Sequence, residues 1–466
     1  MCSKAGFVSA ATSPRISSFN RSLQSPVMHR ATLLSFHFLL SFLPLVYSFV
    51  HPGLLVTNTD IDRVKRKLAA KKDPWLSSWN KLTSIKYSNP SYTPTAVNSV
   101  DRSKNGALIW HDAAAAFNLA LCWKISGDTK YADASARVLV AWGNELKEFG
   151  GQDDKYLTAG LQGYQLANAA ELLRDYPPFA QDGLATVTRM LTTLILPLNV
   201  KFLNHLEPSE HNHRHFFANW ELCNVASAMA IAVLADNRTS WDFAIDYFKN
   251  GTGNGAIGNA ITNIVEEPGT GHLLGQGQEA GRDQGHAALD FQLLGVIGQQ
   301  AWNQGEDLFA YDNNRILLGY VTSCICSLVV FTNLLILTSA EYFARYNLGE
   351  DVPFVPYTNY IVSFTAISPA SRGHVRPTWE LLYSHYAVIK RLEAPWTEQY
   401  LNHTLEFFHG FEGGAGSWGE GSGHYDGLGW GSLLYRLEKE DLACKKRNHI
   451  GRRQLLGAAQ KRWAKL

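Results

Sequence analysis

The sequence has almost no net charge: 42 Lys and Arg stand against 41 Asp and Glu in 466 residues. Without a basic surplus there is no electrostatic footprint for nucleic acid, and composition excludes that class of partner. Cysteine is sparse. The six residues, Cys2, Cys122, Cys223, Cys324, Cys326 and Cys444, show neither the paired spacing of a zinc site nor a disulfide framework. A Cys122–Cys223 bridge is one pairing that spacing cannot choose or reject. Strand-type alternation is scarce, which argues against any substantial β domain. Abundance lies in the aromatics, with 13 Trp, 19 Tyr and 23 Phe. Most serve a core, and the surplus offers flat platforms of the kind that stack on sugar faces.

The first 50 residues read in two parts. Met28-His29-Arg30 opens a basic start, Leu33 to Val46 is apolar, and Val46-Tyr47-Ser48 precedes a cleavage point, so residues 28–48 form a signal peptide and the protein is expected to be secreted. The apolar run is shorter than the ~20 residues of a membrane span, and no stable membrane partner is expected. Residues 1–27 precede a credible initiator at Met28 and read as an extension created by a start placed too far upstream. Asn237-Arg238-Thr239, Asn250-Gly251-Thr252 and Asn402-His403-Thr404 are glycosylation acceptors consistent with secretion.

From residue 58 onward the apolar spacing is helical. Asn58-Thr59-Asp60 supplies cap residues before Ile61, Val64 and Leu68. Further helices are expected over 113–123, 131–146, 161–174, 184–203, 214–234, 241–248, 254–265, 282–302, 377–392 and 397–408, with Gly127-Asp128 as a hairpin turn. Antiparallel helix pairs without a sheet bury their apolar faces by stacking, in an open solenoid or a closed ring. Tyr320 to Ser339 interrupts this pattern with an uncharged, β-branched run between Gly319 and Ala340. A membrane helix, a buried core helix and an intron retained in frame all account for it, and the intron is preferred because a Val codon can supply the opening GT. The tail over 437–466 is basic and reads as a solvated terminus.

Two clusters carry candidate chemistry. Glu210-His211-Asn212-His213-Arg214-His215 runs into Phe216-Phe217-Ala218-Asn219-Trp220, where the alternation of His suits a loop. A zinc site is the rival there, but the HExxH spacing is missing and no metal is expected. Gly275-Gln276-Gly277-Gln278-Glu279-Ala280-Gly281-Arg282-Asp283-Gln284-Gly285-His286 is a Gly-broken loop leading into a helix. Its Gly spacing fails the nucleotide-loop patterns. Arg282 and His286, four apart, share a helix face and aim a cation and a proton-transfer group into one cleft; the plainer reading is a helix first turn whose Glu279 and Asp283 favour the dipole.

These segments resemble the alginate-lyase family of helical polysaccharide lyases. The likeness is carried by Leu161-Gln162-Gly163-Tyr164-Gln165-Leu166-Ala167-Asn168-Ala169-Ala170-Glu171-Leu172-Leu173-Arg174, Ala218-Asn219-Trp220, Gly281-Arg282-Asp283-Gln284-Gly285-His286, Trp302-Asn303-Gln304-Gly305 and Tyr346-Asn347-Leu348-Gly349. It implies an all-α fold, an (α/α) toroid or incomplete barrel of helical hairpins over residues 50–436, interrupted at 320–339. It also implies a lyase acting without a cofactor on an acidic polysaccharide, alginate or glucuronan, with Asn, His, Arg and Tyr side chains at the site; a monomer is expected.

In β-elimination the C5 proton lies beside a uronate carboxylate, whose charge must first be neutralised. Asn219 and Arg282 are candidates for that role, worth ~3 kcal/mol per well-placed donor. A Tyr or His then takes the proton and a Tyr hydroxyl can protonate the departing O4, each proton transfer contributing roughly 10²- to 10⁴-fold; His286 is the candidate for the base or for binding the carboxylate. The Tyr is ranked among Tyr386, Tyr346 and Tyr425, because the helix after Arg282 carries none before Trp302. His213, His215, Trp220, Gln284, Arg376, Trp379 and Tyr425, the last on the Gly413–Gly429 loop with His424, are candidate substrate-binding residues. A hydrolase on the same ring would instead use two carboxylates among Glu279, Asp283, Glu412 and Glu420. A non-catalytic carbohydrate-binding protein would need neither set.

Overall fold

A computed structural model describes residues 48–206, 216–269, 271–311, 335–359 and 362–442, and the side chains of 335–337 lie outside that description. The capping signal at 57–60 forms as a reciprocal box: Thr57 accepts from the Asp60 backbone N–H while the Asp60 side chain accepts from the Thr57 backbone N–H. It starts α1 (Asn58–Ala69). Pro74 then begins α2 (Trp75–Ser84), so Trp75 and Trp79 belong to a second helix.

The long helices follow as α3 (Gly106–Ser126), α4 (Thr129–Glu145), α5 (Asp154–Leu172), α6 (Phe179–Leu203, with π-helical stretches at Phe179–Gly183 and Leu191–Ile195), α7 (Ala218–Leu234), α8 (Arg238–Asn250) and α9 (Gln284–Asn303). Beyond them lie α10 (Leu335–Asn347), α11 (Trp379–Tyr383, continued by a π-helical turn over Ser384–Ile389), α12 (Pro395–Phe407) and the single turn α13 (Gly431–Leu434). Gly127, at φ +77°, ends α3 in the left-handed conformation that only glycine adopts without strain, and Asp128 caps α4.

Helices α3, α5, α7 and α9 are buried on nearly every side and pack one against the next. Such helices belong inside a second layer. Helix α9 meets α11 through Gly295, which faces Thr378 and Leu381, and α11 meets α13 through Ser432 Oγ donating to Glu380 at 2.8 Å. The ring closes where Trp430 Nε1 donates to Asn118 on α3 at 2.8 Å and Asn118 Nδ2 donates to the Ala415 carbonyl at 3.1 Å. Helices α4, α6, α8 and α12 form outer partners of this inner ring. The fold is all-α and toroidal.

Two expectations need correction. The segment 254–265 is not one helix: a single turn over Ile257–Ala260 gives way to a strand, Ile261–Glu266, paired antiparallel with Leu273–Gly277. Its β-branched residues satisfy either spacing, and the downstream strand decides. Helix α7 starts at Ala218 rather than 214. Of the hydrophobic run 320–339, residues 320–334 lie outside the described residues and 335–339 form the start of α10. Of the tail, Glu438 is tied to the body by Lys67 and Lys72, and 443–466 lie outside the described residues. Cys122 and Cys223 are both buried and free; burial pushes the Cys122 thiol up to about 12.

Candidate active site

The hairpin ends beside the N-terminus of α7 and supplies what that helix lacks. Phe217 occupies the N-cap position and has no side-chain acceptor. The Gln278 side chain accepts from the Ala218 N–H at 3.0 Å, and Glu279 accepts from the Asn219 N–H at 3.0 Å and from Asn219 Nδ2 at 2.5 Å. A carboxylate against a helix N-terminus is favoured by the dipole and the unpaired donors there. Glu279 then holds Arg282 at 2.7 Å. The guanidinium lies 4.0 Å from the Phe217 ring centroid, and its Nη2 reaches His286 Nε2 at 3.1 Å.

An Arg N–H can donate to Nε2 only when that nitrogen presents a lone pair, so the ring proton sits on Nδ1, where Asp283 Oδ2 accepts it at 2.6 Å. Asp283 is also the N-cap of α9 and accepts from the His286 backbone N–H at 2.9 Å. Burial, the largest influence on this carboxyl, pushes its pKa up, but the hydrogen bonds from His286 and the nearby Arg282 charge together bring it down to about 2. Beneath the group, Asp290 is fully buried. Burial and the neighbouring Glu279 raise its pKa well above the usual carboxylate range.

The wall next to His286 comes from the 374–376 and 423–426 segments. Arg376 donates to the carbonyls of Gly285 at 3.1 Å and Gly423 at 2.7 Å, and to Asp426 at 3.2 Å. His374 stands close by; burial, then Arg376 and His424, lower its pKa to about 4. Arg282 and His286 thus place a cation and an oriented imidazole side by side. With side-chain exposures of 24% and 41%, Arg282 and His286 are open to a ligand.

The Alginate lyase family model matches residues 59–320. The chain belongs to the alginate lyase family. It is therefore a polysaccharide lyase, and its substrate class is acidic polysaccharide. Among solved structures, this lyase is similar to an alginate lyase from Bacteroides ovatus, at 12% identity over 84% of this chain and 100% of that one, with a TM-score of 0.44. It is also similar to alginate lyase A1-III from Sphingomonas species A1, at 15% identity over 58% of this chain and 77% of that one, with a TM-score of 0.36. A variant of alginate lyase A1-III complexed with tetrasaccharide matches at 16% identity over 58% of this chain and 76% of that one, with a TM-score of 0.42. No curated protein matches the chain.

The remaining candidate residues of the lyase fall in different places. Asn219 is 2% exposed and committed to Glu279, so it steadies the carboxylate that holds Arg282 instead of meeting a ligand. Tyr386 lies in the core with its hydroxyl on the Phe309 carbonyl at 3.2 Å. Tyr346 is buried under the Arg372 guanidinium, 4.0 Å from its ring centroid. Tyr425 is buried too, its hydroxyl donating to Tyr87 at 2.9 Å and its ring 4.6 Å from His111. Trp379 is a core residue stacked on Phe343, and Gln284 spends its amide on Ala280, Ser368 and Asn347. Trp220 is half-buried against Phe216. His213 and His215 lie outside the described residues. Of the carboxylates a hydrolase would need, Glu279 and Glu412 are wholly buried, Glu412 accepting from the backbone of Trp379 and Glu380. Among the described residues no group of three or more His, Cys, Asp and Glu is arranged to hold a metal. Sequence reasoning passed over the Asp283–His286 pair, although an acidic N-cap three residues before a His was there to be read.

Proposed function

We propose that this lyase is secreted and cleaves a uronic-acid polymer, alginate or glucuronan, by β-elimination with Arg282 and His286 as its reacting pair. The observation that carries the reading is the Asp283–His286–Arg282–Glu279 chain, which fixes the imidazole tautomer and leaves its Nε2 lone pair facing a cation. An incoming uronate carboxylate competes for the Arg282 N–H donors. Their transfer to the substrate neutralises its charge and frees Nε2 to take the C5 proton. The electron pair left at C5 forms the C4–C5 double bond as the C4–O4 bond breaks. The imidazolium made in the first step is then available to protonate O4, so one ring serves both transfers. Asp283 stabilises that imidazolium without itself taking a proton.

Incubation with alginate and with glucuronan, followed by ultraviolet absorbance of the unsaturated uronate, tests the reading. A rise with one polymer names the substrate. New reducing ends without absorbance contradict elimination.

A further inference from the structure

Outside the reacting pair, the outer end of the Gly413–Gly429 loop closes over a cavity of about 410 Å³. Its lining is aromatic, with one cation: Phe407, Phe408, Phe411 and Trp418 beside Lys81, His409 and Ser417, and no carboxylate among the described lining residues. The rings stand at steep angles to one another, Phe408 to Trp418 at 5.8 Å and 66°, Phe407 to Trp418 at 6.5 Å and 82°. Phe407, at the end of a helix whose other face is buried, is 51% exposed. Lys81 is exposed and has no ion-pair partner among the described residues.

Trp418 links this cavity to the loop that borders the active-site wall. The Trp418 ring packs 4.3 Å from that of His424, and the neighbouring Gly423 carbonyl accepts from Arg376, which also holds the residue before His286. The geometry points to a second carbohydrate-binding site, in which a more distant stretch of the same uronate polymer lays sugar faces on Phe407 and Trp418 and a carboxylate on Lys81. This assignment rests on the uronate-polymer reading above. A flat aromatic surface suits the apolar face of a sugar ring, and a lysine with no ion-pair partner among the described residues suits an anionic sugar in preference to a neutral glycan.

Affinity electrophoresis of the full chain in gels containing alginate, glucuronan or a neutral glucan tests this, with Lys81→Ala, Phe407→Ala and Trp418→Ala beside the parent and circular dichroism to verify folding. The expected result is retardation by the acidic polymer that cleavage selects, weakened about threefold or more by Lys81→Ala and about fivefold or more by Trp418→Ala. Lys81 is solvent-exposed, so its substitution reads the site even if an aromatic variant misfolds. Unchanged retardation of Lys81→Ala and Phe407→Ala, with product absorbance still appearing, overturns the second site and leaves the lyase reading intact. Absence of both retardation and absorbance with the parent protein overturns both.

Discussion

At the scale of single residues, the account assigns unequal roles to side chains that look alike in the sequence. Arg282 and His286 are open to ligand, while Asn219 and Glu279 are buried supports. Arg282→Ala should lower kcat by roughly 10²- to 10³-fold, as expected for loss of a preorganised charge donor, measured as initial absorbance rates at saturating polymer. Tyr386→Phe should leave those rates near the parent value and cost about 1 kcal/mol of stability, because its hydroxyl bonds a backbone carbonyl inside the core. A loss of activity beyond tenfold in Tyr386→Phe would return it to the site. The Arg282–His286 pair was legible from its spacing of four, but not as a shared helix face: Arg282 lies in the turn before α9, ahead of the N-cap Asp283, and reaches His286 from there. The burial of Tyr386, Tyr346 and Trp379 was not legible, since an aromatic side chain carries no mark of whether its ring meets sugar or Phe343.

At the scale of elements, the inner helices depend on close approach. A methyl group at Gly160 on α5 would come 2.3 Å from Cys223 Sγ on α7. Gly160→Ala should therefore destabilise the fold by roughly 1–3 kcal/mol, seen as a lower midpoint in urea unfolding. The wall segment adds a pH dependence. His374 titrates near 6.5 when unfolded and near 4 in the fold, so between these values the unfolded chain binds more protons and stability falls as pH drops. His374→Gln should flatten that part of the stability curve, and a slope unchanged from the parent would contradict a neutral, buried His374. Helix boundaries with caps, at 57–60 and 127–128, could be read directly. The 261–277 hairpin could not, because its apolar spacing fits a helix until the partner strand is in place, and with it went the means to see how Glu279 reaches α7.

At the scale of the whole molecule, ring closure brings residues separated by hundreds of positions into one wall. Asn118 with Trp430 and Arg102 with Asp426 join early and late parts of the chain, and Arg376 shares the Asp426 carboxylate. Nothing local announces such contacts, so the Arg376–Asp426 wall and the aromatic cavity behind it emerge only in three dimensions. Residues 50 and 51 are also built in: Gln304 accepts from the Val50 N–H at 3.0 Å and donates to the Val50 carbonyl at 3.0 Å, and His51 bonds Glu171 at 2.6 Å. Under the proposed secretion, the protein recovered from culture medium should begin within a few residues of Phe49 by N-terminal sequencing; an N-terminus at Met1 or Met28 would contradict cleavage.

The central claim is that one oriented imidazole beside one cation performs the elimination. Absorbance of the unsaturated product, followed for the parent and His286→Ala on the better of alginate and glucuronan, tests it most directly. The account predicts a steady rise for the parent and a rate reduced by roughly 10²- to 10⁴-fold for the variant, with folding unchanged by circular dichroism. A His286→Ala protein that cleaves at the parent rate would contradict it and move the proton transfer to another group.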